Sequence, residues 1–430
     1  MKVSTEKLEH CAVAMTIEEE AAKLSEGMKK AYARLADKVS IPGFRKGKVP
    51  AKILEQRLGK AYIVTEAFNV VMPKIVADAI AENNMRPVTR PQVEIITLEE
   101  GKDFSFKVSF TNMPEVTLGE YKGLAIKKEV APVTDEDVAK QLLVFQKRKG
   151  KMLDVPADAK VENGDFISLD FEGSVNGEKF EGGTAKDYPL EVGSGSFIPG
   201  FEEQLVGLAV DEEKDVHVTF PEDYHGQDVA GKAAVFKCTV RKIRRQELAP
   251  LDDELAKGVS KFETLEELRA DVRKNLEEMA QRKAEADRNA AAIDKILESM
   301  TVEIPPVMID TRIDALVNEL ALRVQSQGLE FNSYLEHANT DIVKVREQYK
   351  EKAAKDVKTD LMLDAVARKE NLELTDEDIN KGLLVMSLQF GTSPQEVVKA
   401  LKEADKYDNF LANQLNQKAA EFIFANLADA

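Results

Sequence analysis

The sequence predicts a multidomain α+β protein, with an N-terminal α+β domain, a central antiparallel β domain and an all-α C-terminal domain. Three observations predict this class. Residues 1–112 mix helical spacing with strand alternation, residues 150–246 are rich in glycine and in alternating apolar residues, and residues 247–430 repeat helical spacing. A length of 430 residues is enough for two to four domains. Residues 113–149 form a connector, which we expect to pack with the C-terminal domain.

The chain is acidic, with 60 Lys and Arg against 77 Asp and Glu and a net charge of −17. This balance argues against nucleic-acid binding over a large surface, so any contact with a polyanion must be local. No stretch approaches the ~18 uninterrupted apolar residues of a membrane span. Residues 1–7 also lack the apolar run of a signal peptide. We therefore expect a cytoplasmic protein.

The cysteines and histidines predict no metal centre and no cofactor. Cys11 and Cys238 lie far apart and form no CxxC motif, so we expect two reduced, buried thiols. The sequence has four histidines, and they do not show the spacing of metal ligands: His10, His217, His225 and His337. No segment resembles a phosphate-binding loop.

The N-terminal region predicts two helices and two or more strands. Thr16-Ile17-Glu18-Glu19 fits a capping box, with Thr16 as N-cap and Glu19 reaching back to it. Helical spacing follows at Leu24, Met28, Ala31 and Leu35, and again over 63–75. Strand alternation then covers 93–95 and, over a longer stretch, Phe104, Phe106, Val108 and Phe110.

The connector predicts a strand at Leu124 and Ile126 and a helix that opens at Thr134. Residues 134–144 share eight of eleven positions with residues 375–385. Two amphipathic helices with acidic N-caps explain this internal similarity. Equivalent packing of both helices in one helical body explains it equally well, and the sequence does not decide between them.

The later regions follow the predicted class. In the central region Phe166–Phe171 alternates as a strand, Asn176-Gly177 predicts a hairpin turn, and Val235–Ile243 alternates again. In the C-terminal region capping boxes start helices at Thr264 and Ser393, and Pro305-Pro306 separates two helices. A long helix is expected over about 341–369.

A basic turn interrupts the N-terminal region at Ile41–Pro50. Phe44, Arg45 and Lys46 stand between Gly43 and Gly47, and residues 41–60 carry six Lys and Arg but one Glu. The turn is either an ordinary solvated loop or a contact surface for a polyanion or an acidic protein. The Phe favours the second interpretation, because an aromatic side chain at a loop tip gains nothing from folding.

The central region resembles the FKBP-type peptidyl-prolyl isomerases. The matching segments, in family order, are Gly164-Asp165, Asp170–Gly173, Gly177–Gly183, Gly193–Glu202 and Phe220–Tyr224. The resemblance implies a curved antiparallel sheet wrapped on a short helix, which begins near Pro199 and carries Phe201. Rotation of an X–Pro amide has a barrier of roughly 18–20 kcal/mol, and an apolar cup favours its twisted form without a nucleophile or metal.

The same resemblance implies the residues of the cup. They are Phe171, Phe180, Glu181, Phe197, Ile198, Phe201, Tyr224 and Phe236. Tyr224 is the expected hydrogen-bond donor and Phe201 the expected floor. For Phe171 and Phe236 a purely structural role in the core stays open. Family members often have Tyr at the position of Phe171, Trp at that of Phe201 and Asp at that of Glu181, so binding of the family's macrolide inhibitors is in doubt.

The segment Gly43–Pro50 resembles the signature of the trigger factor family of bacterial ribosome-associated chaperones, and the resemblance covers the whole chain. It implies that Gly43, Phe44, Arg45 and Lys46 dock on ribosomal protein and rRNA of the large subunit beside the exit tunnel. It implies further that the C-terminal helices form a cradle with arms, which holds unfolded nascent polypeptides without ATP. The resemblance also implies a role in protein export and in cell division. Neither membrane nor DNA is an expected partner.

Two other functions stay open. One is a prolyl isomerase that acts away from the ribosome, and the other is a dimeric holding or assembly chaperone. Neither needs the Phe-Arg-Lys tip, so the sequence favours the ribosome-associated chaperone. Core packing or client contact can explain the apolar residues of the C-terminal helices: Leu316, Leu320, Met362, Met386, Phe390, Phe410 and Phe422.

Overall fold

The computed structural model describes residues 1–39, 44–45, 47–156, 158–175, 177–221 and 229–428. The chain forms two compact units, one of residues 1–128 together with 287–430 and the other of residues 129–286. Within the described ranges, no helix has both the length and the apolar character needed to cross a membrane.

The first unit begins with a four-stranded antiparallel sheet in the order β1-β2-β4-β3. Its strands are β1 (Lys2–Lys7), β2 (Ala12–Glu19), β3 (Gln92–Thr97) and β4 (Phe104–Thr111). The predicted alternation of β4 is confirmed, since Phe104, Phe106, Val108 and Phe110 are all buried. This is the pattern of a strand with one face in the core.

Three helices complete the N-terminal domain: α1 (Ala21–Lys38), α2 (Ala51–Leu58) and α3 (Lys60–Glu82). The predicted face of α1 is buried at Leu24, Met28, Ala31 and Leu35. Gly27 lets α1 and α3 approach closely, because a Cβ there would lie 2.6 Å from the Ala67 carbonyl oxygen. Phe68 of α3 meets Phe106 of the sheet edge to face at 5.1 Å.

The predicted capping box at Thr16 is wrong. Thr16 lies inside β2, where it pairs with Ser4 on one side and Lys107 on the other. Helix α1 starts at Ala21 instead, with Glu20 as N-cap and no side-chain capping bond. Sheet pairing on both sides outweighs the local capping signal here, because it buries Met15 and Ile17.

The connector also differs from its prediction in part. No strand forms at Leu124 and Ile126, and the described segment 113–134 makes only isolated bridges, such as Ala125 to Ala428. The predicted helix is present as α4 (Asp135–Lys149), and its capping box joins Thr134 and Asp137.

The second unit contains a five-stranded antiparallel sheet in the order β5-β9-β6-β7, with β8 on β9. Its elements are β5 (Lys151–Asp154), β6 (Phe166–Val175), β7 (Glu178–Glu191), α5 (Phe201–Leu205), β8 (Glu213–Thr219) and β9 (Ala233–Glu247). Helix α5 packs into the core of this sheet through Phe201 and Leu205, both fully buried. In the same unit α4 packs on α6 (Asp253–Val259) and on the first turns of α7 (Leu265–Ser299).

The rest of the chain is helical. The elements are α8 (Pro306–Ser326), α9 (Phe331–His337), α10 (Ile342–Lys369), α11 (Asp376–Phe390), α12 (Pro394–Glu403) and α13 (Tyr407–Ala425). Met362 and Val366 of α10 pack with Ala419 and Ile423 of α13 in one core. Arg86 joins this body to the N-terminal domain through two hydrogen bonds to Asp364, 2.9 and 3.2 Å long.

The burial of the C-terminal apolar residues divides them. Leu316, Met362 and Phe410 are buried, and Leu320, Met386 and Phe422 are half-buried against the cores. Phe390 is 63% exposed. Of the two thiols expected to be buried, Cys238 is buried but Cys11 is only half-buried, because it lies in the turn between β1 and β2.

Candidate functional site

The second unit carries a cavity of about 430 Å³ that is lined in part by residues of its sheet. This volume lies in the range of small-ligand sites. Aromatic rings and small apolar residues make up most of the lining: Phe171, Phe180, Gly182, Tyr188, Ser196, Phe197, Ile198, Pro199, Phe220, Pro221 and Phe236. We call this cavity the cup.

Ring contacts fix the shape of the cup. Phe201 lies fully buried beneath the wall, where it stacks on Phe197 at 4.6 Å and meets Phe236 edge to face at 5.3 Å. Phe171 meets Phe197 edge to face at 5.6 Å. Each such pair is worth about 0.5–1.5 kcal/mol beyond its buried area, so the lining rings support one another.

Two glycines let the ring of Phe180 approach the backbone. A Cβ on Gly173 would lie 2.5 Å from Phe236 Cε1 and 2.9 Å from Phe180 Cε1. A Cβ on Gly183 would lie 2.7 Å from Phe180 Cζ. Glycine is therefore required at both positions by the rings rather than by the backbone angles.

The wall of the cup depends on a buried carboxylate. Glu202, on α5, accepts hydrogen bonds from the backbone N–H groups of Gly193 at 2.7 Å, Gly195 at 3.0 Å and Phe197 at 3.0 Å. Burial on its own would raise the pKa of the Glu202 carboxyl. The hydrogen bonds from the wall backbone outweigh burial and hold this pKa below its usual value. Glu202 thus fastens the segment 193–197, which carries Phe197, to the helix under the cup.

Tyr188 is a lining residue that the sequence reasoning missed. Its ring meets Phe197 at 5.4 Å and Phe171 at 5.8 Å, both edge to face. A shift in register between β6 and β7 follows the pairing of Leu169 with Tyr188. Asp187 takes a left-handed conformation, with φ 58°, and its N–H donates to Asp170 Oδ1 at 2.8 Å. Simple alternation along the strand does not reveal such a bulge, and the aromatic residue before Pro189 was the available signal.

The structure brings most of the predicted cup residues together. Phe171, Phe180, Phe197, Ile198 and Phe236 line the cup, and Phe201 lies below the lining rather than on its surface. Tyr224 and the side chain of Glu181 lie outside the described residues. Besides Tyr188, the sequence reasoning missed Phe220, although it had used the segment that begins there as part of the family pattern.

The described lining can desolvate an amide but offers little acid or base chemistry. Tyr188 is its only titratable side chain among the described residues. A larger groove of about 1110 Å³ in the first unit is instead lined by charged pairs such as Arg86 with Asp364. That groove lies where the N-terminal domain meets the helical body, and its mixed charges suit a structural junction.

The basic turn belongs to the first unit, and its described residues line neither cavity. Phe44 is 41% exposed, and Arg45 and Lys48 are exposed as well. The N–H of Gly47 donates to the Ala36 carbonyl at 2.9 Å, so the turn is anchored on the last turn of α1. Gly47 has φ 82°, a conformation that favours glycine. Gly43 and Lys46 lie outside the described residues.

Comparison with known proteins covers nearly the whole chain. Family models described as bacterial trigger factor protein and its C-terminus match residues 1–144 and 264–425. The FKBP-type peptidyl-prolyl cis-trans isomerase model matches residues 157–241. The trigger factor of Halalkalibacterium halodurans is 42% identical over 424 residues, 98% of each chain. That of Moorella thermoacetica is 43% identical over 410 residues, 95% of this chain and 92% of its own. A solved trigger factor chaperone covers 99% of both chains at 22% identity and a TM-score of 0.49.

Replacement of Glu202 by Gln should loosen the wall of the cup. We expect a local loss of about 1–3 kcal/mol, because three N–H groups then share a weaker, uncharged acceptor. We expect two measurable effects of the looser wall. Hydrogen exchange at the Phe197 amide should be faster, and kcat/KM on a proline-containing tetrapeptide should be lower. Glu203→Gln, on the exposed neighbouring residue of α5, is the matched control. Unchanged exchange in Glu202→Gln would contradict the role given to this carboxylate.

The same carboxylate predicts a pH dependence. Its pKa is lowered in the folded protein, so its stabilisation is complete above the unfolded value of about 4.3 and is lost as the pH falls through the folded value. Protection of the Phe197 amide, relative to free-peptide exchange rates, should therefore fall in acid below about pH 4 in the wild type. The Glu202→Gln variant should lack this acid-dependent component, and an equal fall in both proteins would argue against it.

Removal of a lining ring should reduce catalysis more than removal of a ring elsewhere in the same sheet. We expect Phe197→Ala, and separately Tyr188→Ala, to lower kcat/KM about tenfold or more, equivalent to about 1.4 kcal/mol of barrier. Phe166→Ala is the matched control, since Phe166 is a half-buried ring of the same sheet that does not line the cup. Equal kcat/KM in the cup variants and the control would mean that the cup is not the catalytic site.

Proposed function

The chain belongs to the trigger factor family, and on that premise we propose how its parts divide the work of a ribosome-associated chaperone with prolyl isomerase activity. The cup isomerises X–Pro bonds, the basic turn docks the protein, and the C-terminal helices hold unfolded polypeptide. The protein acts in the cytoplasm, without ATP, on nascent chains at the exit tunnel. Protein export and cell division belong to the same proposal as processes that such a chaperone serves.

One observation carries the isomerase mechanism: aromatic rings form much of the lining of the cup, and Tyr188 is the one titratable side chain among its described residues. An X–Pro amide that leaves water for this lining loses solvation of its planar, charge-separated form. The twisted amide has less charge separation, so the apolar lining favours it over the planar state. We assign to Tyr224 the hydrogen bond that orients the substrate carbonyl, and we include Glu181 among the catalytic residues.

We assign the work to four segments. Residues 1–112 are the ribosome-binding domain, residues 150–246 the isomerase domain and residues 247–430 the chaperone domain. Residues 113–149 are a connector that packs with the helical chaperone domain. The contacts of α4 with α6 and the first turns of α7 support this assignment.

The docking contact consists of Gly43, Phe44, Arg45 and Lys46. The exposure of Phe44 and Arg45 on an anchored turn supports it. Phe44 fills an apolar notch on ribosomal protein of the large subunit, while the cations meet rRNA phosphates. Off the ribosome, the same surfaces are free to join two copies into a homodimer.

Unfolded polypeptide binds the exposed apolar face of α11. Leu384, Val385 and Leu388 are 53%, 59% and 76% exposed, and Phe390 is 63% exposed at the end of the helix. Isolated exposed apolar residues are ordinary, but a run along one helix indicates a contact surface. The similar segment in α4 repeats the pattern, with Leu142 buried and Leu143 and Val144 exposed.

The docking proposal predicts that Phe44→Ala with Arg45→Ala abolishes binding to ribosomes. Co-sedimentation with empty ribosomes measures it, and isomerase turnover should persist because the cup is in the other compact unit. Leu322→Ala with Arg323→Ala is the matched control, since these two neighbours are also exposed. Wild-type binding by the Phe44/Arg45 variant would favour the off-ribosome isomerase or assembly chaperone instead.

The holding proposal predicts that Leu384→Gln with Leu388→Gln weakens the suppression of aggregation of a denatured protein. We expect a fall of several-fold in apparent affinity, because two apolar contacts are lost, with unchanged isomerase turnover on a short peptide. Ile96→Gln with Met152→Gln is the control, since these apolar residues are exposed on strands outside the helical region. Equal suppression by both variants would remove α11 from the client surface.

A further inference from the structure

Positive charge on the N-terminal domain reaches well beyond the basic turn. Residues 21–60 contain eleven Lys and Arg but three Asp and Glu, in a chain whose net charge is −17. Five of these cations belong to α1, which ends where the segment leading to the basic turn begins. The N-terminal domain therefore has a local charge opposite to that of the whole molecule.

Four cations of α1 form a line along the border between its exposed surface and α3, which packs on Gly27 within the same arc. Lys23, Lys30, Arg34 and Lys38 are all exposed, and at 100° per residue they fall within an arc of roughly 80°. Their spacing of seven, four and four residues covers about 22 Å of helix. We call these four residues the α1 stripe.

The α1 stripe is free to meet a partner. None of its four cations forms an ion pair with another residue in the described ranges. The carboxylates on the same helix, Glu26 and Asp37, lie in the next row rather than within the stripe. Helix α1 also exposes no large apolar side chain. Protein interfaces usually rely on apolar and aromatic anchors, whereas a phosphate backbone is bound by polar groups, with Lys and Arg prominent among them.

The stripe is continuous with the proposed docking turn. The hydrogen bond from Gly47 N–H to the Ala36 carbonyl places the turn against the last turn of α1, beside Lys38. Arg45 and Lys48 then extend the line of exposed cations, and Lys52 and Arg57 of α2 are exposed beyond them.

We propose that the α1 stripe binds the phosphate backbone of ribosomal RNA, as a second contact beside the turn. This inference rests on the proposed docking on the ribosome for its biological setting. The contact is independent of base sequence, since cations on flexible stems meet phosphates without reading base edges. It supplies a salt-dependent share of the affinity, while Phe44 supplies the local specificity.

The test neutralises the stripe in the full-length protein. The variant is Lys23→Gln, Lys30→Gln, Arg34→Gln and Lys38→Gln, and these substitutions keep good helix formers in α1. The control variant is Lys283→Gln, Lys295→Gln, Lys352→Gln and Lys406→Gln, which removes the same charge from exposed lysines elsewhere. Circular dichroism verifies that both are folded.

Affinity for purified large ribosomal subunits is then measured over a series of salt concentrations. Each phosphate contact contributes roughly 0.7–0.9 to the slope of log K against log salt. The stripe variant should therefore lower the magnitude of the slope by about 3, and the control should not change it. A slope equal to that of the wild type would overturn the proposal.

A second probe separates RNA from acidic protein as the partner. Protein-free large-subunit rRNA should bind the wild type and the control but bind the stripe variant much more weakly. If subunit binding depends on the stripe while this rRNA is not bound, the partner is a protein and the RNA assignment is wrong. If the Phe44/Arg45 variant binds like the wild type while the stripe variant does not, the proposal that the basic turn docks on the ribosome is wrong. The proposal that the α1 stripe binds rRNA is then supported independently of it.

Discussion

The cup depends on one buried charge. An apolar cavity that twists an amide must keep its shape with few polar groups facing the substrate, because many such groups would solvate the planar amide again. Glu202 meets this requirement from behind the wall, where its carboxylate holds three backbone N–H groups and faces away from the lining. The rings of Phe197 and Phe201 then stack at 4.6 Å across the wall that it holds. A polar group thus preserves an apolar site, and the three hydrogen bonds offset the cost of its burial.

Charge is also distributed unevenly along the chain, and the N-terminal domain holds an excess of cations over residues 21–60. The molecule as a whole is acidic, which opposes non-specific binding to nucleic acid. The basic turn and the α1 stripe concentrate cations on one element and its adjoining turn, so attraction to phosphate is confined to that surface. Phe44 is an exposed aromatic residue of the same turn, so it can offer an apolar contact beside the cations. The contribution of the cations to binding can therefore be separated from that of the aromatic ring. Added salt should weaken the contacts made by the cations more than the contact made by Phe44.

Much of this organisation could be predicted from the sequence, and the failures have physical causes. Apolar spacing predicted α1 and β4 because both have one buried face, and the glycine and aromatic segments predicted the FKBP-type domain. The prediction of Thr16 as a helix N-cap was wrong, because pairing of this residue within the sheet outweighed the local capping signal. The expected strand at Leu124 did not form, because only isolated bridges to distant residues are made there. Tyr188 was missed since a register shift, fixed by Asp170 and Asp187, changes the face of the strand. Long-range pairing and bulges of this kind leave little signal in local spacing.

The central claim is that the cup acts by shape and desolvation, without proton transfer. The most direct test is kcat/KM on a proline-containing tetrapeptide as a function of pH, measured in H₂O and in D₂O. We expect a constant value between about pH 6 and 8 and a solvent isotope effect near one, since rotation about the amide bond transfers no proton. A bell-shaped profile within that range, together with a large isotope effect, would indicate general acid–base catalysis and contradict the account.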